Sequence, residues 1–496
     1  MNESRREFLK KSGCALSMVG LASQMGYMGQ MNAMAQKAID AHEAATEGGE
    51  NYKALVLLFF SGGNDGNNMV IPNHNSASLS NYTTYFNARN TQQLAIPQAS
   101  LLPISVPRMG GLSYGLHPQL GSGIVGGINN GVHELWAQQK MAIVTNCGTL
   151  VRPMNKAQYQ NNSVQKPYQL YSHSDQVTQY QTSVANTQAL TGWGGRISDR
   201  MTSVHNLNGL LPMITSINGA QLFTTGQTTM PIAINNANTG LNNVLNPAGF
   251  GTSATQQAKL LAFNQLRTQE LGSHYVAAAS HVTDLAMQAN AALATFQEVT
   301  VTFPTSTIGL QLKQIARIIK KRIDLNTNRQ IFFCQIGGFD THSGQIAGQS
   351  TLFGQFSQAA RAFYDEMGVQ GISNDVTLFT LSDFSRTFVP ASIGATAGTD
   401  HAWANHAIVI GGSVLGGDFY GMNTSNGTPF PTLVAGTSGP DDTDNGSGAR
   451  GRWIPTTSVD QYAATLARWF GLPENQMSEV FPNIGNFTSS NLGFLP

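Results

Sequence analysis

Charged side chains are scarce in this chain of 496 residues. Asp, Glu, Lys and Arg make up 11% of it, against roughly 25% in an average soluble protein. The 27 basic residues balance the 27 acidic ones, so no net field favours nucleic acid or an anionic membrane as a partner. Hydrophobic residues still reach 41%, which is enough for a substantial core. We therefore expect a folded protein that does not bind nucleic acid.

Cysteine is also rare, with three residues in the whole chain. Cys14 lies in the N-terminal leader described below, which leaves Cys147 and Cys334 in the remainder. Two cysteines exclude a disulfide-rich scaffold. Both follow apolar, strand-like runs, so we expect buried, unpaired thiols, with one disulfide between them as the alternative.

Long hydrophobic runs are missing as well. The N-terminal apolar stretch, Cys14 to Met25, falls short of the about 20 residues that span a membrane. It follows Ser4 to Lys10 (SRREFLK), which matches the twin-arginine export pattern, and precedes the small-x-small cleavage site Ala33 to Ala35. We expect a signal peptide at 1–35 and a linker at 36–51; a basic amphipathic helix is the alternative.

This leader predicts export by the twin-arginine translocase to the periplasm or beyond, as a secreted protein without a membrane span in the mature chain. The route carries folded cargo that is often loaded with metal in the cytoplasm. A bound metal is therefore expected before any ligand is considered.

Apolar runs that end in Gly-rich or acidic turns recur along the chain. A run that is polar on neither face suits a strand buried on both sides of a parallel sheet. Such runs are Lys53–Phe60, Met141–Val144, Gln330–Ile336, Val376–Leu381 and Ile408–Ile410. Helical patterns lie between them, at 258–296, 307–323 and 352–367, and Ser458 with Gln461 predicts an N-capped helix through Trp469.

This order of elements predicts an α/β fold, a three-layer α/β/α sandwich with a mostly parallel central sheet. We expect a single domain at 52–496, with residues 423–451, called the polar loop below, as an insertion. Within it, Asp441 to Gly446 resembles the start of a calcium loop, but no Glu closes it, so a solvated loop is expected.

Carboxylates and imidazoles cluster in the loops around the predicted strands. In open α/β sheets, the active site lies beyond the carboxyl ends of the strands, where these loops converge. Asp oxygen and His nitrogen together suit zinc, manganese or iron. The candidate ligands are Asp65, Asp340, His342, Asp383, His401 with Asp400, and His406. Two alternatives stay open: Asp383 as a helix N-cap and His406 as a core histidine.

Arg386 follows Asp383 by three residues and is within reach of the same loops. Its rigid guanidinium fork suits an oxyanion such as phosphate or sulfate. An ordinary salt bridge to a nearby carboxylate is the alternative.

Several motifs together resemble a large family of exported bacterial proteins of unknown function that is placed in the alkaline phosphatase and sulfatase superfamily. The resemblance covers nearly the whole chain from Tyr52. Its motifs are Phe59–Asn68, Gly337–His342, Leu381–Thr387, Trp403–His406, Pro455–Tyr462 and Trp469–Gly471. It implies an alkaline-phosphatase-like fold and a metal-dependent ester hydrolase.

The resemblance also implies residue roles. Asp65, Asp340 with His342, Asp383, and His401 or His406 would bind one or two divalent ions, zinc or manganese. Ser172 would be the nucleophile, with Ser174 behind it. One departure stands out, because phosphatases of the superfamily have His where this chain has Phe384, so one metal site is expected to be altered. No sulfatase-type maturation motif is present.

We therefore predict an exported, metal-dependent hydrolase of phosphate or sulfate esters, acting on a small-molecule or glycan ester, with Ser172 and Arg386 as catalytic residues. The alternative is a non-catalytic exported binding or surface protein on the same fold.

Overall fold

The secondary structure follows the apolar runs of the sequence closely. The computed structural model describes residues 52–123, 130–229, 231–241, 251–269, 271, 274–294, 298–391, 394 and 396–496. The predicted signal peptide (1–35) and linker (36–51) lie outside the described residues. No helix within those ranges has both the length and the apolar character needed to cross a bilayer.

The strands of the described chain belong to two sheets. They are β1 (Lys53–Phe60), β2 (Val70–Pro72), β3 (Leu102–Val106), β4 (Leu112–Leu116), β5 (Met141–Gly148), β6 (Ile214–Ser216), β7 (Ile232–Ala233), β8 (Arg329–Ile336), β9 (Val376–Ser382), β10 (Asn405–Gly411), β11 (Phe419–Tyr420) and β12 (Thr457–Ser458). All five predicted strands are confirmed.

The helices vary from one turn to seven. They are α1 (Gly66–Met69), α2 (Tyr82–Arg89), α3 (Glu134–Ala137), α4 (Lys156–Asn161), α5 (His173–Thr182), α6 (Trp193–His205), α7 (Ala254–Arg267), α8 (His274–Ala294), α9 (Thr307–Lys320), α10 (Gln345–Val369), α11 (Val459–Phe470) and α12 (Met477–Val480). The predicted capping box is present at the start of α11: Ser458 accepts from the backbone of the first turn while Gln461 accepts from the Ser458 N–H.

The larger sheet has the order β11-β5-β10-β9-β1-β8-β6-β7, with β12 also paired to β5. Every pairing in it is parallel except those of β10, which runs antiparallel to both β5 and β9. Its strands come from both ends of the described chain, as one domain requires, although the single-domain assignment itself stays a prediction. The smaller sheet, β2-β4-β3, is antiparallel and was not predicted.

Both faces of the larger sheet are covered. Ala54, Val56 and Leu58 of β1 join a core that contains α9 and α10, whereas the intervening Leu55 and Leu57 join a second core that contains α6 and α11. A strand whose alternate side chains enter two separate cores must have a helical layer on each side. The predicted α/β/α arrangement with a mostly parallel sheet is confirmed.

The two cysteines of the described chain, Cys147 and Cys334, are both buried and unpaired, as expected. The polar loop has no helix, but it is not simply solvated. Asp442, inside the calcium-like motif, is fully buried and accepts backbone N–H groups of Gly436, Asp444 and Arg452. The expectation of a solvated loop was wrong, because the loop folds around the carboxylate of Asp442.

Candidate metal centre

The predicted ligands gather at one edge of the larger sheet. Because β1, β8 and β9 are parallel, the segments that follow them leave the sheet at the same edge. His401 precedes β10, and β10 is antiparallel to β9, so this residue also lies at that edge. Its backbone forms an isolated antiparallel bridge with Arg386, which places it against the segment that follows β9.

Three side chains form the centre of the cluster, namely His173, Asp340 and His401. The Nε2 atoms of His173 and His401 are 3.1 Å apart, and Asp340 Oδ1 lies 3.5 Å from the first and 3.7 Å from the second. His342 adjoins this triangle, with its Nε2 3.0 Å from Asp340 Oδ1 and 3.0 Å from His401 Nε2. A metal ion could be held by His173, Asp340 and His401.

The other nitrogen of each ring fixes the direction of the lone pair. His173 Nδ1 donates to Asp383 Oδ2 at 2.7 Å, and His401 Nδ1 donates to the Tyr171 carbonyl at 2.7 Å. A carboxylate and a carbonyl oxygen both act as acceptors here, so in the neutral rings the hydrogen is assigned to Nδ1 and both Nε2 atoms carry lone pairs. A carboxylate or carbonyl behind a histidine is the usual support of a metal ligand.

Charges and burial in the cluster shift the pKa values of its side chains. The hydrogen bond to Asp383 is the main cause that raises the pKa of His173, against the effect of burial. Burial, with the nearby Arg386, lowers the pKa of His401 despite its bond to Tyr171. Partial burial pushes the pKa of Asp340 up, but the hydrogen bond and charge of Arg386 outweigh it and bring that pKa below its ordinary value.

Asp383 lies behind the cluster rather than in it. Its side chain is 3% exposed, with Oδ2 accepting from His173 and Oδ1 accepting the Gly62 N–H at 3.0 Å. Gly62 has a φ of +115°, and a Cβ there would lie 2.4 Å from the Asp340 backbone nitrogen, so only glycine allows this turn. Asp383 therefore orients His173, and its own predicted role as a metal ligand has no support in this geometry.

Arg386 is in the cluster, but its side chain is fully buried. Its Nη1 donates to Asp340 Oδ1 at 2.9 Å, its Nε to Thr399 Oγ1 at 3.3 Å, and its Nη2 to the Thr399 carbonyl. Every guanidinium nitrogen thus has a protein acceptor. The salt bridge, one of the two alternatives from the sequence, is the one that the structure contains.

Asp65 is held away from the cluster. It caps α1, and its Oδ2 accepts from Arg89, whose side chain is fully buried, and from Gln345. Gln345 in turn accepts from Thr399 Oγ1, the acceptor of Arg386. Asp65 is thus connected to Asp340 only through a chain of buried side chains, so the predicted metal-ligand role does not fit this placement.

His406 is also placed elsewhere. It is 6% exposed, its Nδ1 accepts the Asn146 N–H at 3.2 Å, and its ring stacks on Phe430. Burial lowers the pKa of His406 to about 3. It is the core histidine that the sequence left open as an alternative, and it does not join the cluster.

Phe384 packs against the ligand rings. Its ring centroid lies 4.6 Å from those of both His173 and His401, and its side chain is buried. The departure noted in the sequence therefore provides an apolar wall where phosphatases of the superfamily have a histidine.

Ser172 lies between two residues of the cluster, Tyr171 and His173. Its Oγ donates to Asp175 Oδ2 at 2.6 Å and lies 3.2 Å from Ser174 Oγ. It precedes the first residue of α5 as the N-cap position. Its role as nucleophile stays a prediction.

Sequence reasoning missed His173 and the supporting role of Asp400, whose Oδ1 lies 3.4 Å from His342 Nδ1. His173 begins a helix and follows no strand, so the strand-end rule did not select it. The available signal was its place beside Ser172, in a segment already singled out for another residue.

Comparisons with known proteins give little beyond the family. No curated protein matches the chain. The chain is similar to the lipoteichoic acid synthase LtaP from Listeria monocytogenes, with 8% identity, 85% of this chain and 81% of that chain covered, and a TM-score of 0.24. It is also similar to alkaline phosphatase from the Antarctic bacterium TAB5, with 8% identity, 73% of this chain and 91% of that chain covered, and a TM-score of 0.22. A third similar structure is the PsFucS1 sulfatase from Pseudoalteromonas sp., with 9% identity, 79% of this chain and 68% of that chain covered, and a TM-score of 0.23. TM-scores this low carry no argument about the site. A family model matches residues 52–430, and the chain therefore belongs to the family described as "Protein of unknown function (DUF1501)".

Proposed function

We propose that the chain binds one divalent transition metal ion, zinc or manganese, and hydrolyses phosphate or sulfate esters at this centre. One observation carries the proposal. The Nε2 atoms of His173 and His401 face each other at 3.1 Å, while the other nitrogen of each ring already donates to an acceptor. A cation between the two nitrogens stabilises this approach, and a metal ion does so by coordination to both lone pairs in place of the proton of a protonated His173.

The spacing and chemistry of the ligands support such an ion. A tetrahedral ion with bonds of about 2.0 Å separates its ligand atoms by about 3.3 Å. The triangle of His173, Asp340 and His401 has edges of 3.1, 3.5 and 3.7 Å. His342 adjoins the triangle but lies outside this three-residue set. Two imidazoles and one carboxylate suit zinc, manganese or iron better than calcium or magnesium.

One ion, rather than two, follows from the remaining predicted ligands. Asp65 is neutralised by Arg89, Asp383 supports His173, and His406 is buried against Phe430. None of the three is left with a carboxylate or imidazole directed at the cluster. Zinc or manganese is therefore proposed at a stoichiometry of one per chain.

The cluster is open to solvent on the side of its ligands. His342 and Asp340 are 48% and 49% exposed, so a substrate ester has access to the ion. A bound ion would polarise an ester oxygen and lower the pKa of a nucleophile. Arg386 keeps Asp340 ionised, because its hydrogen bond and charge lower the pKa of that carboxyl against the effect of burial.

Ser172 is the proposed nucleophile. Its Oγ attacks the phosphorus or sulfur atom, its proton passes to Asp175 Oδ2, to which it is already hydrogen-bonded, and the alcohol of the ester leaves with a proton from solvent. Water then releases the phosphate or sulfate from the serine. The substrate class is a small-molecule or glycan ester, and no nucleic acid is involved.

The proposed place of action is outside the cytoplasm. The twin-arginine pattern at Arg5 and Arg6 and the cleavage site at 33–35 support export of the folded, metal-loaded chain by the twin-arginine translocase. Detection of the mature chain, starting near Gln36, in a periplasmic fraction tests this part, and an Arg5→Lys, Arg6→Lys variant should retain the chain in the cytoplasm.

A non-catalytic binding protein on the same fold is the second candidate. The observation that favours it is that every guanidinium nitrogen of Arg386 already donates to a protein acceptor. The phosphate or sulfate group then lacks the arginine partner that the sequence predicted. A protein of this kind would bind the metal without turnover.

A set of chromogenic esters separates the two candidates. The zinc- or manganese-loaded protein is assayed with p-nitrophenyl phosphate, bis(p-nitrophenyl) phosphate and p-nitrophenyl sulfate. We expect hydrolysis that is lost in His173→Asn, falls on the order of 10²-fold or more in Ser172→Ala, and is unchanged in His133→Gln, a histidine distant in sequence from the centre. Bound metal without hydrolysis of any ester would favour the binding protein.

A further inference from the structure

Arg452 directly follows the polar loop and contacts His401, one of the proposed ligands. Its Nε donates to the backbone carbonyl of His401 at 2.9 Å. Its guanidinium carbon lies 5.4 Å from the ring centroid of Tyr171. Tyr171 in turn accepts the Nδ1–H of His401 through its own carbonyl. One arginine therefore contacts both the backbone of His401 and the residue that orients its imidazole.

The arginine is itself held in place by the polar loop. Its Nη1 donates to Asp444 Oδ2 at 2.7 Å, and its backbone N–H donates to the buried Asp442 at 2.9 Å. Lys156, at the start of α4, donates from its ammonium to the carbonyls of Gly436, Gly439 and Asp444 at 2.6 to 2.9 Å. These contacts fix the loop around two carboxylates and a lysine.

Tyr171 needs such support. Its φ of +71° lies in the left-handed region, which is unfavourable for a bulky residue. This conformation accompanies the direction of its carbonyl toward His401 Nδ1. The contact of Arg452 with the Tyr171 ring is one of the interactions that can maintain it.

We infer that Arg452 is a positioning residue that sets the orientation of His401 and thereby the affinity of the centre for its metal. The inference rests on the proposed metal site. It assigns the polar loop a role in tuning that site. Residues that support a metal ligand typically contribute a factor of 10 to 100 to metal affinity.

The experiment compares Arg452→Met with Arg450→Met. Arg450 lies two residues before Arg452, at the end of the polar loop, but its side chain donates to the Pro390 carbonyl and to no ligand residue. The dissociation constant for Zn²⁺ is measured by competition with a chromophoric chelator, and the melting temperature of the metal-free protein is measured in parallel. We expect 10- to 100-fold weaker binding for Arg452→Met, a change within about twofold for Arg450→Met, and an intermediate value for Arg452→Lys.

If Arg452 has a merely structural role, Arg452→Met will lower the melting temperature of the metal-free protein and leave its Zn²⁺ affinity equal to that of the unaltered chain. That result would overturn this inference but not the proposed function. If the unaltered chain binds no Zn²⁺, both the inference and the proposed function fail. If Arg452→Met does not fold, Asp444→Asn replaces it. This variant removes the carboxylate that holds the Arg452 guanidinium but keeps the guanidinium itself, and we again expect weaker Zn²⁺ binding.

Discussion

The Nε2 atoms of His173 and His401 lie 3.1 Å apart, with Asp383 and the Tyr171 carbonyl behind the two rings. The two acceptors fix the hydrogen of each neutral ring on Nδ1, so the facing atoms are both lone-pair donors. A positive charge between the two atoms, either a proton on His173 Nε2 or a metal ion, stabilises such a pair. We propose the metal ion, and the predictions below follow from it.

Removal of the carboxylate behind His173 should weaken metal binding without removing a ligand. In Asp383→Asn, the amide can no longer enforce the Nδ1–H tautomer, so we expect 10- to 100-fold weaker Zn²⁺ binding. Asp400→Asn is the matched control, because Asp400 is 3.4 Å from His342 and 42% exposed, and its effect should be smaller. Competition with a chelator measures both. Equal loss in the two variants would contradict the ranking of these carboxylates.

Asp65 and Asp340 should respond in opposite ways. Asp65→Asn leaves the buried Arg89 without its counter-charge, which should cost about 3–5 kcal/mol in the free energy of unfolding, while one metal ion stays bound. Asp340→Asn should lose the metal and cost less stability than Asp65→Asn, since Asp340 is half exposed and the asparagine oxygen can still accept from the buried Arg386. Urea unfolding and elemental analysis give the two readouts.

A milder variant keeps this comparison interpretable if Asp65→Asn does not fold. Arg89→Lys retains a cation beside Asp65 and should destabilise the chain less while leaving the metal content unchanged. A folded but metal-free Asp65→Asn protein would show that Asp65 is a ligand after all, as the superfamily resemblance implies.

His406 should contribute a specific pH dependence to stability. Its pKa is about 3 in the folded chain and about 6.5 when unfolded, so between these values the unfolded chain binds a proton that the folded chain does not. The free energy of unfolding then falls as the pH is lowered from about 6.5, by up to about 1.4 kcal/mol per pH unit, and is fully retained above it.

The difference between the unaltered chain and His406→Gln isolates this contribution, because glutamine can still accept the Asn146 N–H but does not titrate there. Urea unfolding from pH 8 to pH 4 should give a difference that is constant above about pH 7 and shrinks below about pH 6.5. Parallel curves over the whole range would show that His406 is not a buried neutral imidazole.

Much of the fold could be predicted from the sequence, because a strand buried on both faces leaves a continuous apolar run. Lys53–Phe60 and Gln330–Ile336 were recognised in this way, and the Ser458 capping box was recognised from its own chemistry. The smaller sheet was not recognised, since its short strands carry mixed patterns, with Pro103 inside β3. The antiparallel direction of β10 depends on pairing partners far away in sequence and leaves no local signal.

The candidate site was predicted in part for a related reason. Position after a strand selected Asp340 and His342, position in the loop before a strand selected His401, and the structure brings these three together. The same rule could not tell a ligand from a residue that supports one, as for Asp383, or from one neutralised by a distant arginine, as for Asp65. His173 reaches the site from the start of a helix, and only tertiary structure shows that.

The central claim, one metal ion held by His173, Asp340 and His401, is tested most directly by the metal content of the purified mature chain. Inductively coupled plasma analysis should find close to one zinc or manganese per chain, or reach that value after reconstitution and desalting. His173→Asn should lose the ion, while His133→Gln should keep it. No bound metal in the unaltered chain, before or after reconstitution, or full retention in His173→Asn, would contradict the claim.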